Sequence, residues 1–528
     1  MQDLAARHEW RALAALRRQA LRGVRDVGAA CPALVARCFS HLGEAYAALG
    51  KPERAAECFQ EQLATATLAG DTLCESQACH SLGKVRYALG EHDEALRLHE
   101  RHLAVARATG DRAGELQASG FIGSLHMVLG DHERALECHE ERLSIALEMG
   151  NRAEELRAYC ALGQAHFALG HFQRALDLHE EELAAARESG DRRGEGFACA
   201  NVGKAYDSLG DHTRALEFFE LSVGLCREVG EQAGEGEACT GLGNAYDMLG
   251  QPARSVTWYE RALHVARVLG DREGEAIALG NLGNALDALG RHRRAIELHE
   301  ERLSIVMEMG DVAAQGLAYG SLGVAWRALG QYKKAIEYLS KDLAICCELG
   351  DREGEGKASN MLGSAYASQG SYEQAIGLMR TGLERAQERG DARSQGAACG
   401  NLASTYCLMG QFAEAVGLLN TELDIACKLG DVEAEAKARS NLGAAHLSMA
   451  QAEHAEHAER AEQAGPLAGV DQGSCQSRHA HLRCALDMLA ASQALLGRTG
   501  SGLDQCLVLI HMGLARLHQV RSCRPGLC

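Results

Sequence analysis

Histidine recurs at His99, His139, His179 and His299, each time followed by glutamate. Imidazole beside carboxylate is the raw material of a zinc site or an acid–base pair. These copies, however, lie whole multiples of forty residues apart, so they cannot converge on one ion and read as repeat consensus. Glu453, His454, Glu456 and His457 have the i, i+3 spacing that could hold a divalent cation, but the surrounding Ala/Glu/His run reads as a solvated helix. Cys346 and Cys347 project to different sides of a helix, which argues against shared ligation. There is no Gly-x-x-x-x-Gly-Lys-Ser/Thr loop, no His-Glu-x-x-His and no Gly-x-Ser-x-Gly, so neither catalysis, nor a cofactor, nor a metal is expected. The remaining candidates bind rather than react: Asn201, Lys204, Asp207, Asn244, Asp247, Asn281, Asn284 and Asp287. An asparagine amide both donates and accepts, so a row of them suits an extended peptide backbone, and the carboxylates suit its cations.

What positions these residues is a period. Shifted by forty, the sequence falls on itself: Leu-Gly stands at Leu42-Gly43, Leu82-Gly83, Leu162-Gly163, Leu242-Gly243, Leu282-Gly283, Leu322-Gly323, Leu362-Gly363 and Leu442-Gly443, with Ile122-Gly123 and Val202-Gly203 as conservative copies and Leu402-Ala403 lacking the glycine. Further glycine series run Gly50 to Gly410 and Gly70 to Gly430, the second usually followed by Asp. Between them apolar residues recur every three or four, twice per period, which predicts two helices per repeat and a stacked solenoid. In the copy from Asp271 the aspartate can cap helix A, while Leu279, Leu282, Ala285 and Leu286 line one face. Helix B runs from about Arg291 to Met309, and Gly310 stops it. Pro52 and Pro252 fall in the first turn of helix B, where a missing amide hydrogen matters least.

Composition narrows the function classes. The 528 residues are 46% hydrophobic but only 5% aromatic, with 5 prolines, as expected of an Ala/Leu-rich helical protein. The formal net charge of −18 would repel nucleic acid and favours basic or amphipathic peptide partners. No apolar run approaches the length of a membrane span, and Met1 to Trp10 lacks the apolar stretch of a secretory signal. The 20 cysteines include no C-x-x-C pair, so they read as small core side chains of a reducing, cytoplasmic setting.

The repeat resembles the tetratricopeptide repeat, on the strength of Leu242-Gly243-Asn244-Ala245-Tyr246 followed by Tyr259 and Ala262, and of Ala95, Ala135, Ala175, Ala215, Ala295, Ala335, Ala375 and Ala415 at the helix crossing. Ordinary copies have 34 residues, and six more lengthen helix B by roughly 9 Å. Copies reading Leu-Gly-Asn-Ala-Tyr, then His-Glu-x-x-Leu-x-Ile-Ala, then Gly-Asp-Arg look most like the Pins/LGN class of G-protein signalling modulators, over about Ala33 to Met449. That resemblance implies a right-handed superhelical solenoid of tetratricopeptide-type helix pairs, all-α, whose concave groove holds extended peptides of polarity and spindle-orientation partners. It also implies that side chains two and five places after the Leu of Leu-Gly face the groove. The first series runs Glu44, Lys84, Ser124, Gln164, Lys204, Asn244, Asn284, Val324, Ser364, Ser404, Ala444; the second includes Asp207, Asp247 and Asp287. The Gα-binding C-terminal motifs of that class are absent after Met449. Two other readings remain: a sensor region of a larger signalling protein, and a co-chaperone-like adaptor. The carboxylate clamp of the latter is incomplete, because Lys357 is followed four places on by Met361 and Lys437 by Asn441.

The expected organisation is a capping helix over residues 1–30, a repeat array over 31–450, a polar low-complexity insertion over 451–475, a displaced helix pair over 476–522 and a tail over 523–528. The insertion is expected to be a mobile excursion. Helix B of the last repeat is expected at His479 to Leu496.

Overall fold

The computed structural model describes residues 32–464, 472–499, 508–509 and 511–516. The expected capping helix and the C-terminal tail lie outside the described residues. No strand occurs among those described. The chain divides into two compact units, residues 1–270 and 271–528.

In the first unit the pairs are Pro32–Ala48 with Pro52–Ala69, Thr72–Ala88 with His92–Thr109, Arg112–Val128 with His132–Met149, Arg152–Ala168 with Phe172–Ser189, Arg192–Ser208 with His212–Val229, and Gln232–Met248 with Pro252–Leu269. In the second they are Arg272–Ala288 with His292–Met309, Val312–Ala328 with Tyr332–Leu349, Arg352–Gln369 with Tyr372–Glu388, Ala392–Leu408 with Phe412–Leu429, and Val432–Ala464 with Gln472–Thr499. Within each unit, each helix packs on the one before it in sequence. This is the all-α stack of helix pairs expected of a solenoid.

Local chemistry sets the ends. Where aspartate follows a third-series glycine it caps helix A: Asp271 accepts from the Gly274 amide at 3.0 Å and Asp311 from Ala314 at 2.9 Å. Gly310 ends helix B with φ 73°, a left-handed conformation that a side chain would strain. The helices of a pair lock through the Leu-Gly element. A methyl group on Gly163 would meet His179 at 2.4 Å, and one on Gly243 would meet Tyr259 at 2.3 Å, so glycine lets the ring of helix B lie directly on helix A. Leu82, Leu242 and Leu322 beside these glycines are buried, as is the crossing alanine series.

Helix Val432–Ala464 departs from the expected excursion. It runs unbroken through Gln451–Ala464, and Gln472–Cys475 already belongs to the next helix. The reason is local: Ala450, buried, stands where glycine stops helix A in the earlier repeats, and the Ala/Glu-rich sequence beyond it favours helix. The next helix packs its Leu482, Ala485 and Leu489 into the core with Leu447, Ala450 and Ala436. Val508, Met512 and Ala515 close that end.

Candidate functional site

In the first unit, helix Arg192–Ser208 carries Asn201, Lys204 and Asp207, and helix Gln232–Met248 carries Asn244 and Asp247. Asn201 is half-buried and donates from Nδ2 to Glu182 Oε2 at 3.3 Å and weakly to Cys160 Sγ. Lys204 is ion-paired to Glu237, and Asp207 is hydrogen-bonded to His212 at 2.7 Å. The Tyr259 hydroxyl, buried, reaches Asn244 Oδ1 at 2.8 Å and Asp247 Oδ2 at 2.9 Å. Its one proton is shared between these two acceptors. Burial, with the Asp247 carboxylate second, holds the phenol far above its ordinary range. Asn244 and Asp247 therefore help seat helix B.

In the second unit, helix Arg272–Ala288 carries Asn281, Asn284 and Asp287. Asp287 takes His292 at 2.9 Å and lies 3.7 Å from Nε2 of His299. Asn284 is exposed and, with Asp287, lines a pocket of about 320 Å³ whose other walls include Leu317, Val324, Asp342 and Met361. Apolar walls lie there beside an exposed amide and two carboxyl groups.

Sequence reasoning missed a column in helix B. Counted at forty, it reads Gln62, His102, Arg142, Glu182, Ser222, Ala262, Arg302, Asp342, Gly382, Glu422, and the polar members Gln62, His102, Glu182, Ser222, Asp342 and Glu422 are buried. Several of the column's members lie across a glycine of helix A in their own repeat: a methyl group on Gly400 would meet Glu422 at 2.6 Å, and one on Gly320 would meet Asp342 at 2.8 Å. Burial pushes the Glu422 carboxyl up to about 7 and Asp342 to about 6, and lowers Arg302. Arg142 instead finds Glu154 at 2.6 Å. Reading the column by period, rather than by helical face, would have exposed it. A second amide contact, Asn401 Nδ2 to Asn360 Oδ1 at 3.1 Å, also joins successive A helices in the second unit. Lys357, Asn360, Met361 and Arg385 line a further pocket there of about 240 Å³.

The other sequence candidates resolve simply. Glu453 accepts from Ser477 at 2.9 Å, and His454 meets Arg478 at 2.9 Å; the His457 side chain lies outside the described residues. Cys346 is buried and Cys347 exposed. Among the described residues, no helix is long and apolar enough to cross a membrane.

A family model described as tetratricopeptide repeat matches residues 34–108, 114–188, 240–308 and 315–388. Two further tetratricopeptide-repeat models match 398–433 and 198–228. The search of curated proteins finds no match. Among solved structures, the apo form of the quorum sensor NprR from B. thuringiensis is 16% identical at a TM-score of 0.46, over 65% of this chain and 98% of that one. A signal transduction ATPase with numerous domains and a tetratricopeptide repeat sensor, from Pyrococcus horikoshii, is 16% identical at a TM-score of 0.48, over 64% of this chain and 53% of that one. Rap protein complexed with competence and sporulation factor is 15% identical at a TM-score of 0.47, over 68% and 99%.

Proposed function

The chain belongs to the tetratricopeptide-repeat family, and on that footing we propose that it is a non-catalytic interaction scaffold that holds extended peptide segments along the faces of its A helices. The observation that carries this reading is the pocket of about 320 Å³ where Asn284 and Asp287 stand over Leu317, Val324 and Met361. Asn284 offers an amide to a peptide backbone, apolar walls take a neighbouring side chain, and Asp287 takes a cation. In the first unit the corresponding positions are Asn201, Lys204, Asp207, Asn244 and Asp247, and Asn281 completes the set in the second. The net charge of −18 adds long-range attraction for a basic or amphipathic segment.

The finer reading is a Pins/LGN-like scaffold in polarity, spindle-orientation or G-protein-linked signalling, acting in the cytoplasm. It rests on the forty-residue copies with Leu-Gly-Asn-Ala-Tyr and Gly-Asp-Arg. Selection of short peptides from a random display library against the full chain tests the scaffold reading. The expected outcome is enrichment of sequences with Arg or Lys beside apolar residues that compete with one another for the chain. Enrichment of acidic sequences, or none, would overturn it.

A further inference from the structure

Three imidazoles converge where the repeat consensus supplies only one. His80 comes from helix Thr72–Ala88, and His99 and His102 from helix His92–Thr109; one ring nitrogen from each lies within 4.8 Å of the other two. His99 and His102 are buried, and His80 is half-buried. Nδ1 of His80, both nitrogens of His99 and Nδ1 of His102 are buried with no hydrogen-bond partner. A buried imidazole normally finds a partner for its ring N–H, so this cluster leaves free energy unrecovered.

Position in the repeat separates ligand from scaffold. His99 fills the helix B slot that lies on the Leu-Gly glycine, like His139, His179 and His299, and repeat packing explains it. Neither other histidine is consensus. The His80 column reads Ser40, Gly120, Cys160, Ala200, Thr240, Gly280, Gly320, Asn360, Gly400, Ser440, and the His102 column holds no second histidine. His80 and His102 are thus particular to the repeat in which they meet His99.

The surroundings suit an ion. Burial first, and neighbouring positive charge second, hold His99 at about 3 and His80 at about 4, while burial lowers His102 against the opposing effect of Asp111. Phe121 stacks on His99 with centroids 4.8 Å apart and meets His80 edge-on, which walls one side with a ring that offers no competing donor. His80 and Phe121 both border a pocket of about 390 Å³ shared with Lys84, Arg142 and Glu154. A tetrahedral zinc ion with bonds of about 2.0–2.1 Å needs ligand nitrogens about 3.3 Å apart, so closing the triad takes ring rotations of about 1–1.5 Å. The exposed ammonium of Lys84 opposes a cation, but solvent screens it.

We propose that His80, His99 and His102 form a three-imidazole site for a borderline divalent metal of the Zn²⁺ class, with its fourth position open to the pocket lined by Lys84 and Glu154. Three neutral nitrogens without thiolate select Zn²⁺, Co²⁺, Ni²⁺ or Cu²⁺ over Mg²⁺ or Ca²⁺.

The test is titration of the full, chelator-stripped chain with Zn²⁺ against a chromophoric chelator, repeated with Co²⁺ to read the ligand set. Two variants copy residues that other repeats carry in these columns, so the fold accommodates them: His80→Ala, as at Ala200, and His102→Gln, as at Gln62. The parent is expected to withhold one ion from the chelator and to give a cobalt d–d spectrum free of thiolate charge transfer. Each variant should lose at least tenfold in affinity for that ion. His139→Gln, at a buried imidazole with an unpartnered Nδ1 and no such neighbours, should leave it unchanged. Failure of the parent to compete with the chelator, affinity that survives both column variants, or a thiolate band that accompanies the bound ion would each overturn the proposal.

Discussion

Gly443 packs on Leu489: a methyl group on the glycine would lie 2.6 Å from the leucine Cγ. Gly283 makes that contact with His299 and Gly363 with Met379, sixteen residues on, but Gly443 makes it forty-six on. The partner residue of Gly443 therefore stands thirty residues later in the sequence than its counterparts in these repeats. Leu489→Ala should destabilise the second unit by about 2–5 kcal/mol in chemical denaturation, as a buried core leucine does.

Helical glycines divide into two classes that substitution will separate. Gly163→Ala drives a methyl group to within 2.4 Å of the His179 ring and should cost about 1–3 kcal/mol. Gly224→Ala and Gly377→Ala meet nothing within 4 Å in mid-helix and should stabilise by about 0.5–1 kcal/mol. Urea denaturation of the three variants against the parent decides the matter. Equal signs would refute the interhelical lock.

The buried carboxyl of Glu422 predicts a pH dependence of definite sign. Its folded pKa, near 7, is raised above that of the unfolded chain, so the folded state keeps a proton that the unfolded state releases. Stability from this group is present at low pH and is lost as pH rises from about 4.5 through 7. Glu422→Gln should exceed the parent by about 1–3 kcal/mol at pH 8, and the difference should shrink below about 1 kcal/mol at pH 5. A difference that does not vary with pH would contradict it.

His139 works the other way. Burial holds it near 4, so below about 6.5 the unfolded chain gains a proton that the folded chain refuses, and stability falls as pH drops toward 4. Phe59 and Phe219 already fill this slot over Gly43 and Gly203. His139→Phe should therefore retain about 2 kcal/mol more stability than the parent at pH 5 relative to pH 8. Equal loss in both chains would refute the assignment.

What the sequence made legible was local and periodic. The capping aspartates, the left-handed glycines, the paired helices and the Leu-Gly contact all depend on residues within one repeat. Two things escaped it. The row from Gln62 to Glu422 hides polar residues on a buried face, where an apolar pattern gives no warning and only comparison at the forty-residue interval would. The bond from Tyr259 to Asn244 depends on side-chain geometry, so a residue that reads as a free ligand donor is in part a strut. Helix Val432–Ala464 ran past its expected end because one residue, Ala450, replaced the glycine that stops its counterparts.

Asn284 and Asp287 carry the peptide-binding proposal without the bond to Tyr259 that complicates Asn244, so they give the most direct measurement. Peptides recovered by selection against the full chain should be titrated by fluorescence anisotropy, at low and high salt, against the parent and the double variant Asn284→Ala, Asp287→Asn. The expected result is at least tenfold weaker binding by the variant, about 1.4 kcal/mol, together with a shallower salt dependence. If every recovered peptide binds the variant as tightly as the parent, with the same salt dependence, this face of the A helices is not where the chain holds its partners.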